Sequence, residues 1–524
     1  MIAVSDRWKE KQKNFLAPEG FVEISYLISE DGLQDEVVSS STNEAVFSDV
    51  ENIVLVNPAP KKRWATTELN LWALDGSMNI LPDSGEYENV GYVSGSFDSG
   101  SARVTAAEVH EQSIKGVTIT WSEEYGEYAK SFTVTAYNGS SVVAQKTVTD
   151  NASIVSTVEM ELSYYDSVEI TVHEWSLPQH RPRIEQVILG VSVVFTKNNI
   201  TNYTHSQSGC VVCGELSKNS IDFSLDNSSG EWQLNNPQGN GKYLTERQKL
   251  KVRYGFDIDG EIEWINAGTF YLTEWRTPAN GIEVSFSARD ILCYMIDKDY
   301  TGITSGTLYE IASAALEEAD LPSSVVIHID ERLKEYTASF ENNGYSIAEV
   351  LQYCANAACC VMYQDHDGEF WIKYGFLPVG DYRITPDISY SYPEFELLKQ
   401  MKSVSVAYGP DEAKYVHAVG DIGEVQTLSN PFISTEAQAE KVAKWVENNL
   451  KFRKTISGEF RSDPRLDLFD RIGVESKYGV NDAVILTNVT YTFTGAFKGS
   501  YEGVVTEFTP VSAGYSGEYR AGEV

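Results

Sequence analysis

From Lys115 onward, short stretches of the chain alternate apolar with polar residues or run apolar for a few positions. Residues 115–122 (KGVTITWS), 130–149 (KSFTVTAYNGSSVVAQKTVT), 166–173 (DSVEITVH) and 186–195 (QVILGVSVVF) are rich in Val, Ile, Thr and aromatics. Such period-two patterning predicts half-buried strands. Asn138-Gly139, between two strand-like runs, predicts a hairpin turn. Regular short strands from about 60 to 197 predict a β-sandwich of jelly-roll or related type. Residues 219–227, 248–258, 261–277 and 281–292 carry the strand pattern on to about 300.

The period then changes. Thr307 and Glu310 form a capping box, as do Ser346 and Glu349. Leu308, Ile311, Ala312, Ala315 and Leu316 follow the first at helical spacing; Ile347, Val350, Leu351, Cys354 and Ala358 follow the second. With strands at 323–330, 359–365 and 369–375, these helices predict a small α+β module over 301–385. Residues 386–515 read as strands again, with one helix. It starts near Ser434 or Thr435 and turns Val442, Ala443, Val446 and Leu450 inward. The last residues, 516–524, read as a loose tail.

The chain has 524 residues, which suggests about three to five domains. Apolar residues make up 42%, enough for substantial cores, so the formal charge of −35 does not signal disorder. That acidity is spread along the chain. It disfavours nucleic-acid binding and docking on anionic lipid, both of which need basic patches. No run reaches the ~18–20 apolar residues of a membrane span. The charged start, MIAVSDRWKEKQKNF, does not read as a signal peptide, so synthesis as a soluble cytoplasmic product is expected. The six cysteines are too few and too clustered for a disulfide framework.

Several stretches test for chemistry. His173–Glu185 (HEWSLPQHRPRIE) gathers two His, two Glu and two Arg. A zinc-protease helix needs its histidines four apart on one face, whereas His173 and His180 are seven apart with Pro178 and Pro182 nearby. The stretch reads as a turn between strands, with Arg181 or Arg183 pairing with acids. Cys210 and Cys213, with His205 upstream, have no second pair at zinc-finger spacing. Cys354, Cys359 and Cys360 read as buried free thiols. His328 and His366 have acidic neighbours, but Asp365, Asp367 and Gly368 are explained by a hairpin turn. Asp257–Glu263 lacks the later ligands of a calcium loop. No nucleophile elbow, phosphate loop or dinucleotide fingerprint occurs. No catalytic, cofactor-binding or metal-binding residue is assigned, and no cofactor is expected.

Two resemblances organise the rest. Residues 116–149 followed by 164–190, with a strand ending in Trp121 and a late RIEQVILG strand, resemble the discoidin (F5/8 type C) family of galactose-binding-like sandwiches. The resemblance implies that Arg183 and Glu185 point outward while Ile184 and Val187 or Ile188 supply core. It also implies glycans, here a host-surface glycan, or lipid head groups as ligand classes for loops at one end. No ligand motif maps residue by residue, so the glycan-binding residues are unknown.

Residues 217–239 and 243–275 (YLTERQKLKVRYGFDIDGEIEWINAGTFYLTEW), with 457–476 (SGEFRSDPRLDLFDRIGVES) and 486–504, resemble the bacteriophage tail baseplate hub or tail-tip family. Residues 17–29 resemble that family's first strand, which makes the sandwich an insertion.

The resulting fold class is mainly β with a small α+β module: two hub β-barrel domains plus an inserted discoidin-like β-sandwich. The expected boundaries are 1–58 for an N-terminal hub segment, 59–197 for the sandwich, 198–300 for the first barrel, 301–385 for the α+β module, 386–515 for the second barrel and 516–524 for the tail. The family resemblance implies a structural, non-enzymatic homotrimer forming a ring at the virion tail tip, assembled in the bacterial host cytoplasm. Its implied partners are distal tail and tube proteins and the tape-measure protein, with DNA only in passage. A cell-surface carbohydrate-binding protein is the alternative reading. A glycosidase is a third, resting only on the abundance of acids.

Overall fold

The computed structural model describes residues 2–12, 18–29, 33–41, 100–111, 113–122, 126–177, 182–278, 281–376, 382–451, 453–461, 463–478 and 480–510. The protein is mainly β with a small α+β part. Its largest element is a 13-stranded sheet. Gly20–Ile28 alternates buried and half-buried residues along its length, as a strand with one face on a core must. It pairs antiparallel with Lys249–Ile258 on one side and with Val191–Phe195 on the other. The sheet continues through Glu261–Arg276, Glu283–Arg289, Lys218–Asp226 and Ile200–Ser208.

The expected second set of barrel strands joins the first within this sheet. Ile200–Ser208 pairs with the C-terminal half of Val480–Phe493, Tyr203 opposite Phe493. The N-terminal half of that long strand pairs instead with Arg471–Glu475. Phe497–Pro510 and Lys454–Arg461 follow, and Glu394–Leu397 ends the path. One apolar core spans both sets: Tyr26, Phe223, Tyr254 and Phe286 lie in it with Ile456, Phe460, Val489 and Tyr491.

The inserted part begins after Ile28 and returns at Val191, two residues opposite each other in the sheet. Val191–Phe195, which the expected 59–197 sandwich included, therefore belongs to the large sheet. Val37–Ser41, which that boundary left out, pairs with Gly100–His110 in the insert. The insert is a five-stranded sheet and a three-stranded sheet around a common core. Trp121 is fully buried there, and its indole nitrogen donates to Ser156 Oγ at 2.8 Å. The hairpin expected at Asn138-Gly139 turns one residue later. Asn138 pairs with Ser141, so Gly139 and Ser140 make the turn, with Gly139 at φ +60°. Residues 60–99, counted with the sandwich, and the tail 516–524 lie outside the described residues.

Both expected capping boxes form, on helices Leu308–Glu318 and Ile347–Ala357. Helix Glu436–Leu450 starts at the cap Thr435. Its Val442, Ala443 and Val446 are buried, while Leu450 is half-buried. That helix packs with strands Met401–Tyr408 and Ala413–Ala418 on the core of the two capped helices. Its apolar stripe matches theirs, so this segment joins the α+β part and not the second barrel, where the expected boundary of 386 placed it.

Candidate functional site

The two ends of the 13-stranded sheet differ. At one end, Val191–Phe195 contacts sandwich strands Ile114–Thr120 and Val155–Leu162. At the other end, Glu394–Leu397 has a single strand partner among the described residues, Lys454–Arg461. Phe395 lies opposite Ile456, and Leu397 opposite Lys454. Opposite residues of an antiparallel pair share a face, and alternation puts Phe395 and Leu397 on the same one. Ile456 is fully buried on that face, yet Phe395 and Leu397 are 44% and 69% exposed. The apolar side of the sheet thus runs past the edge of its own core. Tyr390, Tyr392 and Leu398 extend the exposed set. Such an edge offers unpaired backbone groups and apolar side chains to another chain, and monomeric proteins normally blunt it.

Behind the sheet a buried polar seam ties the parts together. His205 Nε2 donates to Asn219 Oδ1 at 2.8 Å, which leaves Nδ1 to accept from the Tyr254 hydroxyl at 2.7 Å. That hydroxyl in turn accepts from Tyr203 at 2.8 Å. Burial pushes the His205 pKa down to about 4, so the ring is neutral at pH 7. Asp467 Oδ1 accepts from Gln207 Nε2 at 2.6 Å, and its Oδ2 accepts from His366 Nδ1 at 2.9 Å. Burial alone would lower the His366 pKa. The hydrogen bond and charge of Asp467 outweigh it and hold that pKa above its usual value. Burial likewise works to raise the Asp467 pKa, but His366 and Gln207 bring it below the ordinary carboxylate range. This ion pair joins the α+β hairpin to the segment 463–470 beside the large sheet. It is structural: the Asp467 side chain is only 7% exposed.

No family model matches the chain, and no curated protein matches it. Solved structures similar to it include three tail proteins. The 43 kDa tail protein of prophage MuSo2 from Shewanella oneidensis is 14% identical, with a TM-score of 0.42, over 60% of this chain and 95% of that one. A tail protein from Neisseria meningitidis is 13% identical, with a TM-score of 0.43, over 60% and 93%. Prophage tail protein gp18 from Listeria monocytogenes is 10% identical, with a TM-score of 0.40, over 60% and 91%. At these values the likeness carries no residue role and no activity over to this chain.

The residues singled out from sequence fall into structural places. His173 sits in strand Tyr165–Trp175, with Nε2 2.8 Å from Thr133 Oγ1. Arg183, expected to point outward, is only 6% exposed. It lies in the irregular segment before strand Gln186–Leu189, where strict alternation does not hold. Ile184 and Val187 are core, and Ile188 is half-buried. Pro178, His180 and Arg181 lie outside the described residues. Cys210 and Cys213 close a turn, with the Cys213 amide donating to the Cys210 carbonyl at 2.9 Å. Burial raises the Cys213 and Cys359 thiols to about 12 and about 11, and pushes Cys354 and Cys360 up as well. Such thiols are poor nucleophiles and poor metal ligands.

His328 stacks on Trp371 at 3.8 Å between ring centroids and meets Glu369 at 2.8 Å. Asp257 Oδ1 accepts from the Gly260 amide at 2.7 Å, closing the hairpin that resembled a calcium loop. Among the described residues, no three His, Cys, Asp or Glu side chains gather as a metal site. No described helix is long and apolar enough to cross a membrane. The reach of His366 to Asp467, 101 residues on, had no signal in the sequence.

Proposed function

We propose that the chain is a structural baseplate hub or tail-tip protein of a tailed phage, prophage or tail-like particle. In this reading it closes with two further copies into a ring at the end of the tail tube. The observation that carries the reading is the exposed edge strand Glu394–Leu397, whose Leu397 is open and whose Phe395 is covered by the Lys454 ammonium 4.5 Å from its ring centroid. A neighbouring copy supplies the strand and apolar cover that the edge lacks, and a closed ring leaves no such edge. The quoted barrel phrases at 217–275 and 457–504 support the family. The distribution of titratable groups fits a role without catalysis, because the strongly perturbed histidines, thiols and tyrosines serve cores and seams.

The ring faces meet distal tail and tube proteins and the tape-measure protein, at the tail tip of a virion assembled in the host cytoplasm. Three copies bring three times the net charge of −35 around the channel. By simple repulsion, acidic walls let DNA pass without holding it. The inserted sandwich projects as a discoidin-like module whose loops take a host glycan. A glycan array probed with the full chain tests that assignment, and uniformly empty arrays would reduce the module to a spacer.

The oligomeric claim is tested by sedimentation of the full chain across a concentration series. Wild type is expected at three times the chain mass. Leu397→Glu, exposed in the single chain, is expected to shift the population to monomer with unchanged circular dichroism. A wild type that stays monomeric up to high micromolar concentration, or a Leu397→Glu variant that assembles as wild type does, counts against the edge.

A further inference from the structure

A cavity of about 430 Å³ lies where helix Asp6–Gln12 meets residues 382–388, Arg461 and residues 463–465. Two of the polar groups lining it are buried and have no hydrogen-bond partner among the described residues. They are the Gln12 side-chain nitrogen and the Tyr382 hydroxyl, each on a residue 7% exposed. A buried polar group left unpaired costs stability, so such groups are normally served by water, an ion or a ligand.

The charges around them point one way. Lys9, Arg383, Arg461 and Arg465 line the cavity against two acids, Asp387 and Asp463. Asp463 is already committed: it accepts from Arg465 Nε at 2.8 Å and from Trp8 Nε1 at 3.0 Å. Arg461 Nη2 donates to the Gln12 carbonyl at 2.7 Å, which holds its guanidinium at the cavity wall. Arg465 is held over the Tyr382 ring, 5.0 Å from its centroid. Among the described lining residues cations outnumber acids, in a chain whose net charge is −35.

We infer that this cavity is a binding site for a small oxyanion carrying two negative charges, a dicarboxylate or a phosphate. Its oxygens accept from Gln12 Nε2, the Tyr382 hydroxyl and the Arg461 guanidinium. Arg465, paired with Asp463 at 2.7 Å, forms a neutral wall beside them. Charge-assisted hydrogen bonds from guanidinium to carboxylate or phosphate are the strong ones, and they give the site its selectivity for anions.

Isothermal titration calorimetry on the full chain tests this with succinate in one arm and inorganic phosphate in the other, at constant ionic strength set by sodium chloride. Saturable one-to-one binding of either anion is expected, and which arm binds identifies the oxyanion. Arg461→Gln is expected to weaken that binding about tenfold or more, the scale of losing a charge-assisted bond. Tyr382→Phe removes only the unpaired hydroxyl. It is expected to weaken binding several-fold while leaving the melting temperature of the unliganded protein unchanged or higher. Tyr382→Phe also keeps the test open if Arg461→Gln fails to fold. Absence of saturable binding in both arms overturns the assignment, as does binding that neither substitution alters. A Tyr382→Phe variant that binds as wild type but melts lower shows the hydroxyl to be structural and likewise overturns it.

Discussion

Asp290 shows how much one buried carboxyl costs this fold. It caps the short helix Ile291–Tyr294 by accepting from the Leu292 amide at 3.2 Å, while its second oxygen has no partner among the described residues. Burial pushes its pKa up to about 7, against a smaller pull downward from Arg289. The folded pKa lies above the unfolded value near 4, so the unfolded state gives up its proton first as pH rises. Stability from this group is therefore complete below about pH 4 and is lost between pH 4 and 7. About three pKa units correspond to roughly 4 kcal/mol. Asp290→Asn keeps the capping oxygen and removes the charge. It is expected to raise the melting temperature at pH 8 by several degrees, with the gain vanishing as pH approaches 4. Equal melting at pH 8 would mean that Asp290 ionises freely in the folded chain. None of this was legible in sequence, where Asp290 is one acid among 76 acidic residues. Its burial is set by strands and helices distant along the chain.

At the scale of elements, local signals were read well where one residue type has one local use. Thr307 and Ser346 each accept from the amide three residues on, and Glu310 and Glu349 each reach back to the cap amide. Ser346→Ala removes the cap of the helix whose Ile347, Val350, Leu351 and Cys354 are fully buried. It is expected to cost about 1 kcal/mol, measured as a lower denaturant midpoint at unchanged slope. A midpoint equal to wild type would place the helix start elsewhere. Helix Glu436–Leu450 was read with the right inward face but the wrong company. Periodicity reports which side of a helix is apolar, and not which core receives it. Arg183 was misread because alternation was extended beyond the regular strand that enforces it. The edge strand Glu394–Leu397 was not singled out at all. Its Glu-Phe-Glu-Leu pattern is that of an ordinary half-buried strand, and only the missing neighbour makes it a site.

For the whole molecule, the strand register explains how a sandwich is inserted into the large sheet without disturbing it. Ile28 and Val191 face each other as partners, so the host strands Gly20–Ile28 and Val191–Phe195 form a hairpin whose loop is the entire insert. Only Ser29 and Gly190 stand between those partners and the inserted segment. Gly190 has φ +156°, and a Cβ there would come within 2.7 Å of the Ile28 carbonyl oxygen, so the backbone passes too closely for a larger residue. The insert keeps a core of its own, with Trp121, Phe132 and Ile170 fully buried in it. The host core is completed by residues outside the insert. Deleting residues 30–189 and joining Ser29 to Gly190 leaves a two-residue hairpin loop of a kind strands readily accept. The shortened chain is expected to fold cooperatively and to assemble as the full chain does, because the edge strand Glu394–Leu397 lies at the opposite end of the sheet. Val191–Phe195 then becomes less protected, since the sandwich strands that contact it are gone. Hydrogen exchange at Ser192–Val194 is expected to speed up while exchange at Val252 and Tyr254 stays slow. A shortened chain that is soluble but unfolded would show instead that host and insert are one cooperative unit, whatever the separation of their cores.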